Sequence, residues 1–308
     1  MFTKKTSLII PTKNRPYLLS KLLFQLKKLR IKFNEIIIVD SSDKQFKNEV
    51  KYLSQKYKCK MFTTKSSTSY QRNFGIKKKS KKSKYIMFLD DDIFFKKKAF
   101  ANMDKALKAN FKINLNILGY GFNQVNNLKL SYLDIIKKSK FTSFLGLYSD
   151  KPGKVLRSGW QTKIVNLKTN LFTDWMHSAA IIIPIVNLKS RFDLNLGSYS
   201  YLEDLDFSIN MRKKNKSGKF LLVSSAQFNH PNNIDRIDFN FGKVEFLNRF
   251  WIVQKYNYDF TKFFYIALVK IVMSFFSALL NFKKFPKFFG NITGLCSCLK
   301  QIFLKKNK

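Results

Sequence analysis

Acidic side chains are scarce in this chain of 308 residues: 58 Lys and Arg stand against 19 Asp and Glu, giving a formal net charge of +39. Such an imbalance draws polyanions, whether nucleic acid, an anionic membrane face or a phosphorylated substrate, but it does not speak to the fold. A lysine-rich composition throughout, with Asn, Ile and Phe also frequent, explains the same charge with no function attached. Cysteine is nearly absent. Cys59, Cys296 and Cys298 form neither an even disulfide set nor a CxxC pair, which argues against a stapled scaffold and fits a reducing compartment. CSC at 296–298 is too close-spaced for a metal motif. Histidine occurs only at His177 and His230. The opening MFTKKTSLIIPTKNRP has too short an apolar run before Pro11 for a secretory leader, so a cytoplasmic location is expected.

What is present is enough apolar material, 45% of residues, to fill a core, in a length that suits one large domain with an extension or two modest domains. Short apolar runs alternate with amphipathic stretches, the pattern of parallel strands joined by helical crossovers in an α/β fold. Strands are expected at Ser7–Pro11, Glu35–Asp40, Met61–Thr64, Tyr85–Asp90, 113–122, Ala179–Pro184 and Phe220–Ser225. One helix is expected from Pro16, capped by Asn14, with Leu18, Leu19, Leu22, Leu23 and Leu26 on one face. Others are expected over Ser66–Lys79 and near 97–109. From about residue 241 the texture turns to long aromatic-rich helical stretches, so the expected division is 1–240 and 241–308, the latter a helical extension.

Ligands of open α/β sheets sit at the carboxyl ends of strands. Here two such ends are acidic, VDSSD (39–43) and LDDD (89–92), and YLEDLDF (201–207) is a third acidic cluster in a basic chain. Like charges a few ångströms apart repel unless a cation or a shared proton offsets them. Asp-x-Asp at a strand end suits a hard cation, Mg2+ or Mn2+, completed by substrate phosphates. Carboxylates that merely favour a helix N-terminus through its dipole are the alternative.

SLIIPTKNRP, IIIVDSSD, SYQRNFGI, YIMFLDDDI, DWMHSAAIIIP, RFDLNLGSYSYLEDLDFSINMRKK and FNHP follow one another in an order that resembles the family 2 glycosyltransferases of the GT-A fold, over roughly residues 5–255. The resemblance implies a Rossmann-like, mostly parallel central sheet flanked by helices. It implies a metal-dependent, inverting enzyme that moves a sugar from a nucleoside diphosphate donor, of UDP or dTDP type, to a glycan or lipid-linked acceptor, as in bacterial surface polysaccharide and lipopolysaccharide assembly. On that likeness Pro11, Asp40, Arg72, Asp90 and Asp91 are expected at the nucleotide, with Asp40 accepting from a uracil-type imide and Arg72 pairing with base or pyrophosphate. Asp40 as the anchor of an Asx turn is the competing reading. Asp90, Asp92 and His230 are expected at the metal. Asp204 is expected to be the general base and Glu203 to orient the acceptor, with Asp206 facing helix or solvent. Gly75 suits close helix packing. His177 reads as a packing histidine, Ser178 stands where relatives often have glycine, and 123–172, including SGW at 158–160, shows no pattern that can be placed.

FFYIALVKIVMSFFSALLNF (263–282) is about long enough to cross a bilayer, yet Lys270, Ser274, Ser277 and Asn281 make a polar stripe along it. The stripe leaves three roles open: lying in the membrane interface, covering the catalytic domain, or spanning. Basic runs, KKKSKKSK at 77–84 among them, favour peripheral contact with anionic lipid at the inner face of the cell membrane. A basic membrane- or nucleic-acid-binding protein without turnover is the rival class. Specific nucleic-acid binding is not expected, because most Phe and Ile lie in core-like runs and not between exposed lysines.

Overall fold

The computed structural model describes residues 1–111, 116–125, 143, 144, 149, 151–197, 200–216, 218–230 and 236–306. The chain divides into two compact units, Met1–Asn127 with Ile164–Pro231, and Leu128–Lys163 with Asn232–Lys308. The first unit is the α/β part. Its strands are β1 (Thr6–Thr12), β2 (Glu35–Asp40), β3 (Lys60–Thr63), β4 (Tyr85–Leu89), β5 (Phe94–Phe95), β6 (Ile117–Gln124), β7 (Leu171–Thr173), β8 (Ala180–Pro184) and β9 (Lys219–Asn229). They form one sheet in the order β3-β2-β1-β4-β8-β6-β9-β5, with β7 also on β9.

The pairings from β3 through β4 are all parallel, as the crossover pattern predicts, and β8 then joins β4 antiparallel. Parallel strands are buried on both faces, which is why Leu8, Ile9, Ile10, Ile37, Ile38 and Val39 are continuous apolar runs and not alternating ones. The flanking helices are α1 (Pro16–Lys28), α2 (Lys44–Lys56), α3 (Thr68–Lys78), α4 (Ala99–Phe111) and α5 (Glu203–Lys214). Helix α1 buries Leu19, Leu22, Leu23 and Leu26 and starts on Pro16. Its cap is not Asn14. Arg15 holds that position without a side-chain cap bond, while Asn14 adopts a left-handed φ of 56° and ties the β1 end to the β2 end. The tie is reciprocal: Asn14 Nδ2 donates to Asp43 Oδ2 at 2.7 Å and Asp43 N donates to Asn14 Oδ1 at 2.8 Å. On α3, Gly75 sits so close to β1 that a methyl there would collide with the Ile9 side chain.

Helix α2 and strands β5 and β7 were not anticipated; both strands are only two or three residues long. Residues 113–115 of an expected strand lie outside the described residues, and β6 runs on to Gln124.

The second unit is helical: α6 (Phe239–Tyr256), α7 (Phe260–Leu280) and α8 (Phe285–Lys306). Its C-terminal segment starts at Asn232, and the expected 240/241 division falls inside the first turn of α6. It also takes in Leu128–Lys163, which no pattern assigned. Trp160 of the unplaced SGW stretch packs in the helical core, 5.4 Å from the Phe263 ring and 6.4 Å from Phe246. Helices α6 and α8 approach through glycine: a methyl on Gly290 would strike the Phe239 carbonyl, and one on Gly242 the Lys287 carbonyl.

Candidate active site

The site lies wholly in the α/β unit, where β1, β2 and β4 end. Gln71 of α3 reaches across two of those ends, donating from Nε2 to Thr12 O at 2.9 Å and Val39 O at 2.7 Å. Asp40, the last residue of β2, is fully buried. Its Oδ1 accepts from Ser42 N at 3.0 Å and Ser42 Oγ at 2.6 Å, an Asx turn. Oδ2 is buried without a protein donor. One oxygen therefore follows the turn reading, and the other is the acceptor that a ring imide would have to reach.

The triplet splits. Asp91 is fully buried, accepts from Thr12 Oγ1 at 2.7 Å and lies 2.7 Å from the Arg15 guanidinium. Burial pushes its carboxyl up to about 7, although Arg15 and the Thr12 hydroxyl act the other way. Asp90 and Asp92 remain partly open, with side chains 24% and 14% exposed. Arg15 also reaches Asp92 Oδ2 at 2.9 Å. His230 follows β9, and the antiparallel pairing of Phe94 with Asn229 turns it back beside the triplet. Its Nε2 lies 2.9 Å from Asp92 Oδ1. Burial alone would lower the imidazole pKa, but the hydrogen bond and charge of Asp92, with Asp90, raise it; burial of Asp92 is likewise outweighed by His230 and Arg15, so that carboxyl is lowered.

Arg72 joins the two acidic clusters. The buried guanidinium donates from one nitrogen to Asp90 Oδ1 at 2.7 Å and from the other to Glu203 Oε1, and it lies over the Phe192 ring at 5.4 Å. Glu203 also accepts from Ser178 Oγ at 3.1 Å and from Ser69 Oγ at 3.3 Å. Ser178, legible only as a departure from the expected glycine, thus supplies a hydroxyl to the hub. Pro11, Asp91 and Glu203 are buried, as are Asp40 and Arg72; Asp91 pairs with Arg15 and Glu203 with Arg72. Asp206 is fully buried too, not on a solvent face.

Helix α5 begins at Glu203 after a turn in which Ser200 and Leu202 both have positive φ, 50° and 68°. Left-handed backbone is costly for a leucine, and strain of this kind clusters at functional sites. The turn leaves Asp204 in the first helical turn with its side chain 20% exposed. Its Oδ1 accepts from Leu205 N at 2.8 Å, and Oδ2 lies 3.4 Å from His177 Nδ1. Ser208, one turn on, explains the meeting: its Oγ donates to Asp204 O at 2.7 Å and accepts from Met176 N at 3.2 Å. His177 stands edge-on to the buried Trp175 ring at 4.6 Å. The packing role expected for it is present, but sequence reasoning missed its second contact.

Among the described residues, Asp90, Asp92 and His230 bring their ligand atoms within 4.8 Å of one another. Two carboxylates and one imidazole make a donor set that fits a divalent cation. Beside the N-terminus of α3 a depression of about 250 Å³ is lined by Lys65, Ser66, Ser67, Tyr70, Leu194 and Gly197.

A family model described as Glycosyl transferase family 2 matches residues 7–162, half of the chain. No curated protein sequence matches it. Among solved structures, the chain is similar to a mannosyltransferase from Pyrobaculum calidifontis in complex with GDP-Man and Mn2+, at 11% identity over 96% of this chain and 87% of that one, with a TM-score of 0.55. It is similar to glucosyl-3-phosphoglycerate synthase from Mycobacterium tuberculosis in complex with Mn2+, UDP and glucosyl-3-phosphoglycerate, at 10% identity over 83% and 81% of the two chains, TM-score 0.53. With S. aureus TarS it shares 15% identity over 81% of its own length but spans only 42% of that chain, at a TM-score of 0.48. The first two likenesses establish the fold, the GT-A arrangement expected above.

Proposed function

The chain belongs to glycosyl transferase family 2, and from that premise we propose that it is an inverting transferase using a nucleoside diphosphate sugar of UDP or dTDP type. The acceptor is a glycan or a lipid-linked saccharide in surface polysaccharide assembly. The observation that carries the reading is Arg72, whose guanidinium holds Asp90 on one side and Glu203 on the other. Through it the strand-end carboxylate Asp90 is tied to the first turn of the helix that bears Asp204. Asp90, Asp92 and His230 would hold a divalent cation, Mg2+ or Mn2+. When bound, the cation supplies Lewis-acid stabilisation of charge on the departing diphosphate.

The protein's own part is orientation and proton removal. Asp204 takes the proton of the attacking acceptor hydroxyl as the new bond to the anomeric carbon forms and the bond to the diphosphate oxygen breaks. Its Oδ1 is held by the helix backbone, and Oδ2 faces His177. Glu203 is removed from direct contact and positions Arg72. Asp40 Oδ2, the acceptor with no protein donor, supports recognition of a ring imide.

The test is thermal unfolding with UDP, dTDP and GDP, each with Mn2+ or with a chelator, since a ligand selective for the native state raises the melting temperature. The expected result is stabilisation by UDP or dTDP that depends on the metal and disappears in Asp92→Ala. Absence of stabilisation by all three diphosphates would overturn the reading, and stabilisation by GDP alone would overturn its choice of base.

A further inference from the structure

Helix α7 is built inside out. Its exposed apolar positions, Tyr265, Leu268, Val272, Phe275, Phe276 and Leu279, recur at steps of three and four and so share one face. Leu268, Val272 and Phe276 are each more than half exposed, at 56%, 54% and 56%. The polar residues turn the other way, toward protein. Ser274 Oγ donates to the Asn291 side-chain oxygen of α8 at 3.2 Å, in the amide orientation that also satisfies the Gly242 and Lys287 carbonyls. Ser277 Oγ accepts from Lys284 Nζ at 3.1 Å, and Lys270 acts with Lys287 on the buried Glu245 carboxylate of α6. Asn281 lies beyond the helix and caps the next turn, accepting from Lys283 N at 3.2 Å.

A helix facing water presents its polar stripe outward, so this reversed arrangement calls for an apolar medium on the exposed side. At the last helical residue and just beyond it, Leu280 and Phe282 are 87% and 75% exposed, and Phe282 stacks on Phe285 at 5.8 Å with Lys283 and Lys284 between them in sequence. Apolar tips interleaved with lysine match an interface whose interior is oily and whose rim is anionic. By length and composition α7 is able to cross a membrane. Spanning, however, would carry Lys270 and the Glu245–Lys287 pair packed behind it into hydrocarbon.

We propose that the exposed face of α7 and the adjoining Leu280–Phe289 tip dock side-on into an anionic lipid bilayer, acyl chains covering the face and Lys262 and Lys283 meeting lipid phosphates. The inference is independent of the transferase reading. A second copy of the chain is the competing occupant, but it would bring like-charged lysine flanks together, which the charge pattern disfavours.

The test uses the full chain and sealed vesicles of phosphatidylcholine, with or without phosphatidylglycerol, followed by flotation. Anionic vesicles are expected to bind the chain about tenfold or more tightly than neutral ones, given the cost of removing each lysine contact. Leu268→Glu with Val272→Glu is expected to weaken binding by about tenfold or more while leaving the melting temperature in place, because both side chains are exposed. Unchanged binding by that variant would overturn the proposal. So would a soluble parent dimer that ignores vesicles and that the same variant makes monomeric. With Cys59→Ser and Cys296→Ser as background, leaving only the buried Cys298, cysteines introduced singly at Lys262 and Lys283 are both expected to react with an impermeant maleimide added outside; protection of one of them would mean that the helix spans, overturning the side-on geometry.

Discussion

The two units treat polar groups alike and apolar groups oppositely. In the α/β unit Glu203 lies under Arg72 and Asp91 under Arg15; in the helical unit Glu245 lies under Lys287 at 3.3 Å. Each carboxylate is matched to a cation, as burial of charge requires. The apolar residues part company. Strands β1, β2 and β4 bury theirs completely except at Ile36 and Tyr85, which are partly buried, whereas α7 leaves an entire apolar face uncovered. In a chain with so few acids, Glu203, Asp91 and Glu245 are buried against cations and pin the scaffold, while the partly open Asp90, Asp92 and Asp204 are the carboxylates proposed above to meet a ligand.

The largest effect that sharpens this contrast is expected from Asp204→Asn, which lowers kcat by about 100- to 10,000-fold with donor affinity unchanged in a binding titration. An equal loss of donor binding would break the distinction between pinned and open carboxylates. Next, Arg72→Ala strands Glu203 without its cation and is expected to destabilise the chain by about 3–5 kcal/mol in urea unfolding; a near-neutral result would show that Glu203 is not pinned. Gly290→Ala, which forces the α6 and α8 backbones apart, is expected to cost about 1–3 kcal/mol, read as loss of helical signal. The smallest effect is with pH. Glu245 is buried, which alone would raise its pKa, but Lys270, Lys287 and Arg249 hold it below its ordinary value of 4.5. Its contribution to stability is therefore complete above pH 4.5 and is lost as pH falls through the lowered folded value. Glu245→Gln should flatten that part of the acid unfolding profile, and an unaltered profile would remove Glu245 from the account.

Much of this was legible in the sequence where the signal is local. Apolar runs ending on Asp40 and Asp90 announce strand ends, and the leucine spacing of α1 announces its buried face. What escaped depends on pairing between distant segments. His230 was expected beside Asp90 and Asp92 only through the family resemblance, because 138 residues separate it from Asp92 and the β5–β9 pairing that brings it back has no local signal. His177 reaches Asp204 because Ser208 holds the Met176 backbone, a contact that no residue spacing encodes. The polar stripe of α7 was readable, but which side it faced was not, since that depends on Asn291 and Glu245 from other helices.

Arg72 makes YQRNFG, LDDD and LEDLD inseparable for anyone who would redesign the enzyme. Because one guanidinium serves two carboxylates on different elements, their substitutions will not add, and a double-mutant cycle between Asp90 and Glu203 should show a coupling term. Grafting any one of these motifs into a sister enzyme without the other two would transplant a lock lacking its key, so libraries should vary the three as a single block.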